Sequence, residues 1–341
     1  MKQGSLLSTL LLVLSVFVFT SCNHNRLKDV DVSAVQMAPV KILRLDQDVF
    51  FTKPDSFETA TKKMQVKYGS FYTSFIFNVI NHGEEHDSVY KALKYFVLDR
   101  DMKEVFNETQ KIFTEQEIGN IETQLTDGFK HLKYHLPQTT LPKQCVSFIS
   151  GFNCNISTMD STLGISLDAY LGAQNKFYQM LQLPKYKARF MNINYVVSDA
   201  IRGWLIHCYD KNEQLNNLLN HMIFYGKLYY ALDAALPNVE DSIKIQYSTV
   251  QMQYCKTFKK NLWAYFAEKN RLYNTDLKEL APFVSDGPFT SEISKDCPPR
   301  IAAYIGWQVV RAYMDKNPKV TVEQLMNTEA QLILSKSKYK P

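Results

Sequence analysis

The segment from Leu215 to Leu236 is apolar nearly all round, carrying Leu218, Leu219, Met222, Ile223, Phe224, Leu228, Tyr229 and Leu232. A helix without a polar face has no side to show to water, so it belongs in the middle of a core with other elements around it. Gly226 inside it costs about 1 kcal/mol relative to Ala, and a close backbone approach by a neighbour is the expected reason. The Tyr-rich face of Tyr225, Tyr229 and Tyr230 reads as core in which each hydroxyl needs a partner. Helices are predicted at about 192–209, 213–236, 248–270, 276–282, 299–316 and 322–330. Val250, Tyr254, Phe258 and Leu262, spaced by four, mark one buried face.

Earlier in the chain, the alternation of Ile42, Leu43, Leu45 and Val49 with polar neighbours predicts a strand over Val40 to Phe51. Residues 55–135 read as helical, with separate stretches at Lys91 to Phe113 and Glu117 to His135, before Pro137 and Pro142 break the pattern. Val146, Phe148 and Phe152, then Leu163, Ile165, Leu167 and Ala169, alternate on either side of a turn-like Ser157 to Ser161. They predict an antiparallel pair. The fold class expected is α+β, predominantly helical, with a small antiparallel sheet in a single domain over residues 40–341, since neither an internal repeat nor a Gly/Ser-rich linker follows residue 40.

At the N-terminus Lys2 precedes an apolar run from Leu6 to Phe19, followed by Thr20, Ser21 and Cys22. Fourteen helical residues span only about 21 Å, too short for a bilayer core, so residues 1–21 read as a signal peptide. Small residues before a cysteine resemble the lipobox of bacterial lipoproteins, which makes Cys22 the acylated N-terminus; an ordinary secretory signal cleaved near Ser21 is the alternative. Residues 22–39 then form a polar tether. Maturation leaves 341 − 21 = 320 residues, and loss of Lys2 takes the formal charge from +5 to +4. Lys and Arg are not gathered into runs, which excludes nucleic acid as a partner. Cys145, Cys154, Cys208, Cys255 and Cys297 permit one or two disulfides without specifying them, and no structural metal cluster is expected.

Candidate chemistry is sparse. His82, Glu85 and His86 have the order of inverted zinc peptidases, but they lie in a polar, Gly-containing stretch that reads as a helix connection. His131 and His135 are four apart, with Leu132 where a zincin needs its Glu; they read as a solvated helix terminus. Asp168 reads as a strand-end turn residue more readily than as a paired buried carboxylate, and Arg202 as a paired structural Arg. His207 beside Cys208 makes a dyad only with a third group. Nucleophile-elbow, Walker and dinucleotide fingerprints do not occur in the sequence.

Three stretches resemble the gliding motility lipoprotein GldB family: Leu163-Gly164-Ile165-Ser166-Leu167-Asp168 continuing to Ser198-Asp199-Ala200-Ile201-Arg202; Met222 to Tyr230 followed by Asp233-Ala234-Ala235-Leu236-Pro237; and Asp286-Gly287-Pro288-Phe289 to Pro299-Arg300-Ile301-Ala302 and Ile305-Gly306-Trp307. That family is similar to zincin-like putative zinc peptidases. The resemblance implies a degenerate zincin-like scaffold in which Arg202-Gly203-Trp204-Leu205-Ile206 stands near the place of the metal motif and Tyr225 near that of the third ligand. It implies no catalytic residue, no bound metal and no cofactor. Asp168, Arg202, His207, Tyr225, Arg300 and Trp307 are the expected cleft or partner surface, with Arg202 paired to a carboxylate such as Asp168 or Asp233.

The function implied is a non-catalytic, acylated periplasmic lipoprotein that supports a gliding or associated secretion apparatus. It would be held to the membrane through Cys22 and bound to protein partners of that complex. The alternative is a metal-dependent peptidase or hydrolase using two of His82, His86, His131, His135, His207 and His221.

Overall fold

The computed structural model describes residues 26–80, 89–210 and 215–341. The signal segment, Cys22, His82 and His86 lie outside them. Among the described residues helices dominate, and four strands form one small sheet, β1 (Ile42–Arg44), β2 (Gln144–Phe148), β3 (Ile156–Met159) and β4 (Thr162–Ser166). The α+β, predominantly helical class therefore holds.

The sheet is mixed, in the order β1-β2-β4-β3. β1 pairs with β2 and β2 with β4 in parallel, whereas β4 pairs with β3 antiparallel. The expected antiparallel pairing of the 146 and 163 segments is thus corrected. Residues 156–159, expected as part of a turn, form a strand that makes the return run, so the flanking strands point the same way. Asp160, at φ 50°, turns β3 into β4 through the left-handed region that a two-residue hairpin loop needs.

The predicted strand over Val40 to Phe51 is also corrected: only Ile42–Arg44 is extended, and Leu45–Phe50 is a helix. Leu45 and Val49 are four apart and buried, which suits a helix face as well as an alternating strand. What favours the helix is non-local. Buried Asp46 accepts the Ser147 hydroxyl at 2.5 Å and Arg44 at 2.8 Å.

β2 and β4 are buried on both faces. One face, with Val146 and Phe148, packs against Phe71, Phe75 and the helix Phe57–Tyr68; a Cβ on Gly164 would stand 2.4 Å from the Phe71 ring. The other face meets the main core, at whose centre lies the helix Leu218–Ala235, buried almost throughout. It crosses the helix Ile301–Lys316 at Gly226 and Gly306. A Cβ on Gly226 would sit 2.5 Å from the Gly306 carbonyl carbon, so the expectation of a backbone neighbour there is met.

The predicted Lys91 to Phe113 helix is two, separated at Asp99, whose carboxylate caps Arg100–Ile112 by accepting the Met102 N–H. The 248–270 helix likewise breaks at Phe258 into Thr249–Thr257 and Lys259–Ala267. This overturns the Val250 to Leu262 face: Val250 is 79% exposed and Phe258 43%, while Met252, Cys255, Leu262 and Phe266 are buried. The five cysteines considered for disulfides are all free thiols. His131 is buried, not solvated, and His135 is half-buried, its pKa pushed down to about 4 by burial and by the nearby His131 and Arg26. Within residues 26–39, expected as part of a tether, Leu27 is buried and the Gln36 carbonyl accepts the Lys133 ammonium at 2.9 Å.

Candidate functional site

A cleft opens between β3, the helix Val196–Tyr209, the central helix and the start of the helix Ile301–Lys316. It has two chambers, of about 330 Å³ and 230 Å³, sharing Asn155, Gln246 and Arg300 as a common wall. Ile156, Ile206, Leu228, Val284 and Ala303 make the larger chamber mainly apolar, with Arg202 and Tyr225 among its polar groups. Lys187, Arg189 and Asp286 line the smaller.

Asp199 organises the larger chamber. It is buried one turn before Arg202 on the same helix, and its carboxylate accepts Arg202 at 2.8 Å, the Tyr170 hydroxyl at 3.1 Å and the Gln246 amide at 2.9 and 3.0 Å. Burial pushes the Asp199 pKa up, and the Arg202 charge opposes that rise. For Arg202, burial opposes the charge, but Asp199 and the Tyr229 hydroxyl more than offset it, so the guanidinium is held protonated. Gly203 lets this helix press on β3, where a Cβ would meet Ile156 at 2.7 Å.

Arg300 forms the other side. It precedes the helix Ile301–Lys316 in the left-handed region (φ 53°, ψ 33°), and Gln246 ends the helix Asp241–Ile245 in the same region (φ 57°, ψ 55°). Such backbone costs a non-glycine residue on the order of 1–3 kcal/mol and tends to gather at functional sites. The Arg300 guanidinium donates to the Ile245 carbonyl at 2.9 Å, while its buried Nε has no hydrogen-bond partner among the described residues and stands 3.7 Å from an Asp286 carboxylate oxygen. Four cations, Lys187, Arg189, Arg202 and Arg300, thus face two carboxylates, Asp199 and Asp286. Guanidinium groups donate and cannot ligate a cation. The wall is built to meet oxygen acceptors, with an apolar chamber beside them.

Of the residues singled out from sequence, Arg202, Tyr225 and Arg300 line this cleft and the other three do not. Asp168 is a fully buried carboxylate, not a plain turn residue. It accepts the Ser150 and Phe152 N–H groups at 3.1 and 2.6 Å and the Ser166 hydroxyl at 2.5 Å, and burial pushes its pKa up. Trp307 is buried, donating to Asp233 at 2.8 Å in a network with Lys244, Arg311 and Asp241. That network leaves Asp233 engaged elsewhere, so neither carboxylate proposed for Arg202 is its partner. His207 packs on Trp204 and contacts the Asp160 carbonyl at 3.0 Å. Among the described residues no three of His, Cys, Asp and Glu gather as a metal-binding group. Asp199 and Gln246 were not among the site residues expected from the sequence; the three-residue spacing of Asp199 and Arg202 was the signal for the first.

A family model described as gliding motility protein GldB matches residues 25–341. The chain belongs to the GldB family. Membership makes it a lipoprotein of the cell envelope by family and gives it a role in gliding motility. No curated protein and no solved structure matches the chain. Within the described residues of this GldB-family chain, no helix is long and apolar enough to cross a membrane.

Proposed function

We propose that this chain is a non-catalytic lipoprotein, acylated on Cys22 and facing the periplasm, that supports assembly or stability of a gliding or associated secretion apparatus. Its two-chamber cleft is the docking place for an acidic, apolar-flanked segment of a protein partner. The observation that carries this reading is the cleft wall itself, where Arg202 and Arg300 are fixed by buried acceptors beside an apolar chamber. Paired guanidinium groups recognise carboxylates well and serve poorly as proton-transfer groups or metal ligands.

The test reverses charge at the exposed rim, where folding is least affected. Lys187→Glu combined with Arg189→Glu leaves protein level unchanged and abolishes gliding or secretion in cells, and the full chain then loses its cross-linked partner. Normal function in that variant removes the cleft from the reading. His207→Ala retains function; complete loss at normal abundance and fold would instead point to chemistry here. Cys22→Ala releases the chain from membranes or leaves the precursor uncleaved, because two acyl chains supply stable anchoring.

A further inference from the structure

Only three residues lie between Cys22 and Arg26, a span of 26 − 22 = 4 residue steps, and Arg26 is clamped to the folded domain. Its guanidinium donates to the Tyr230 hydroxyl at 3.1 and 3.2 Å and to the carbonyls of Pro318 and Val320 at 3.1 and 3.3 Å, and Leu27 beside it is buried. Four steps reach at most about 14 Å even when fully extended. Resting on the reading that Cys22 carries lipid, we infer that the domain does not hang on a tether: the face around Arg26, Lys28 and the Pro318–Val320 loop is seated on the lipid headgroups of the anchoring leaflet.

The charges suit that seat. Lys28 and Lys319 are exposed on it, and Lys316 lies one turn before the loop, its ammonium on the carbonyls of Ser337 and Lys338. Asp29 beside Lys28, Asp31 after it and Asp315 beside Lys316 are the acids nearest them in sequence, so the cations Arg26, Lys28, Lys316 and Lys319 exceed them by one, and Glu240 and Asp241 line the adjoining groove with Lys244 and Arg311. Basic side chains held within a Debye length, about 8–10 Å, of an anionic leaflet are attracted to it.

The seat also orients the cleft. Tyr225 and Tyr229 face the cleft from the central helix, whereas Tyr230 holds Arg26. At 3.6 residues per turn Tyr230 points about 140° round the axis from Tyr225. The cleft therefore opens away from the bilayer, toward soluble partners.

Amine-reactive footprinting of the full-length acylated chain in phosphatidylethanolamine and phosphatidylglycerol vesicles, compared with the soluble Cys22→Ala chain, tests the seat with no other protein present. Lys28 and Lys319 become protected several-fold in vesicles, while Lys187 on the cleft rim labels equally in both. Inserting about twelve Gly and Ser residues before Arg26, an added reach of roughly 20 Å, restores labelling of Lys319. Equal labelling of Lys28 and Lys319 in the two forms, or protection of Lys187 in their place, overturns the inference. The mass of the N-terminal peptide reports the lipid separately: an unmodified Cys22 sinks the anchor reading, whereas a lipidated Cys22 with unprotected Lys319 sinks only the seat.

Discussion

At the scale of single residues, Arg202 shows how a buried ion pair turns a sequence feature into a constraint. With its side chain one-fifth exposed against an Asp199 side chain only 3% exposed, the pair is largely desolvated. Removing one partner of such a pair is far more costly than forgoing both, since the other charge stays behind in a poor solvent. Arg202→Ala leaves Asp199 with the Tyr170 hydroxyl and the Gln246 amide alone, which stabilise a carboxylate less than a guanidinium does. We predict a loss of about 3 kcal/mol, read as a lower midpoint in chemical denaturation of the purified protein, while Arg202→Ala combined with Asp199→Asn loses less than the single change. A single variant as stable as the wild type would mean that the pair is open to water. That Arg202 is a paired structural residue was legible in the sequence, because an arginine among Trp204, Leu205 and Ile206 needs an acceptor. Its partner was legible only through helical spacing, and Gln246 not at all, since it enters the cleft from a left-handed helix end that no local pattern announces.

At the scale of elements, the crossing of the two long helices is set by two glycines. A Cβ on Gly306 would stand 1.7 Å from the Met222 carbonyl oxygen, and one on Gly226 2.5 Å from the Gly306 backbone. Both obstacles are backbone, which cannot rotate aside, so the helices must separate to admit even a methyl group. We predict that Gly306→Ala destabilises by about 3 kcal/mol or more and Gly226→Ala by less, despite the gain of roughly 1 kcal/mol in helix propensity each brings. Thermal unfolding checks the order, and an unchanged midpoint in Gly306→Ala would show that the helices do not touch there. The sequence revealed this contact through a glycine in an all-round apolar run, a local anomaly with a physical reason. It did not reveal the sheet order, because β1 and β2 pair across about a hundred residues and Asp46 finds Ser147 over the same separation. Nor did spacing alone expose the break at Phe258, where a continuous period of four spans two helices with different buried faces.

At the scale of the whole molecule, the docked N-terminal segment and the end of the helix Glu115–His135 are electrostatically linked, since Arg26 and His131 both act on His135. Burial is the larger cause of its depressed pKa, about 4 in the folded chain against an ordinary 6.5. Above pH 6.5 the imidazole is neutral in both folded and unfolded forms and contributes no pH dependence. Between 6.5 and about 4 the unfolded chain takes up the proton first, so stability falls as pH falls, and the loss is complete below the folded value. The shift would correspond to about 3 kcal/mol if fully transmitted, and partial solvent screening of this half-buried ring brings it to about 1–2 kcal/mol. Asp168 and Asp199 act in the opposite sense: burial raises their pKa values, so their protonation favours the folded form as acid is added. The histidine term is therefore isolated by comparison, with His135→Leu losing about 1–2 kcal/mol less than the wild type between pH 7 and pH 4.5 in denaturant titrations. Arg26→Ala should raise the His135 pKa toward its ordinary value, followed by its imidazole resonances in NMR. Parallel pH profiles for wild type and His135→Leu would mean that the imidazole is open to water, and a His135 pKa unmoved by Arg26→Ala would mean that the N-terminal segment is not held against this helix end.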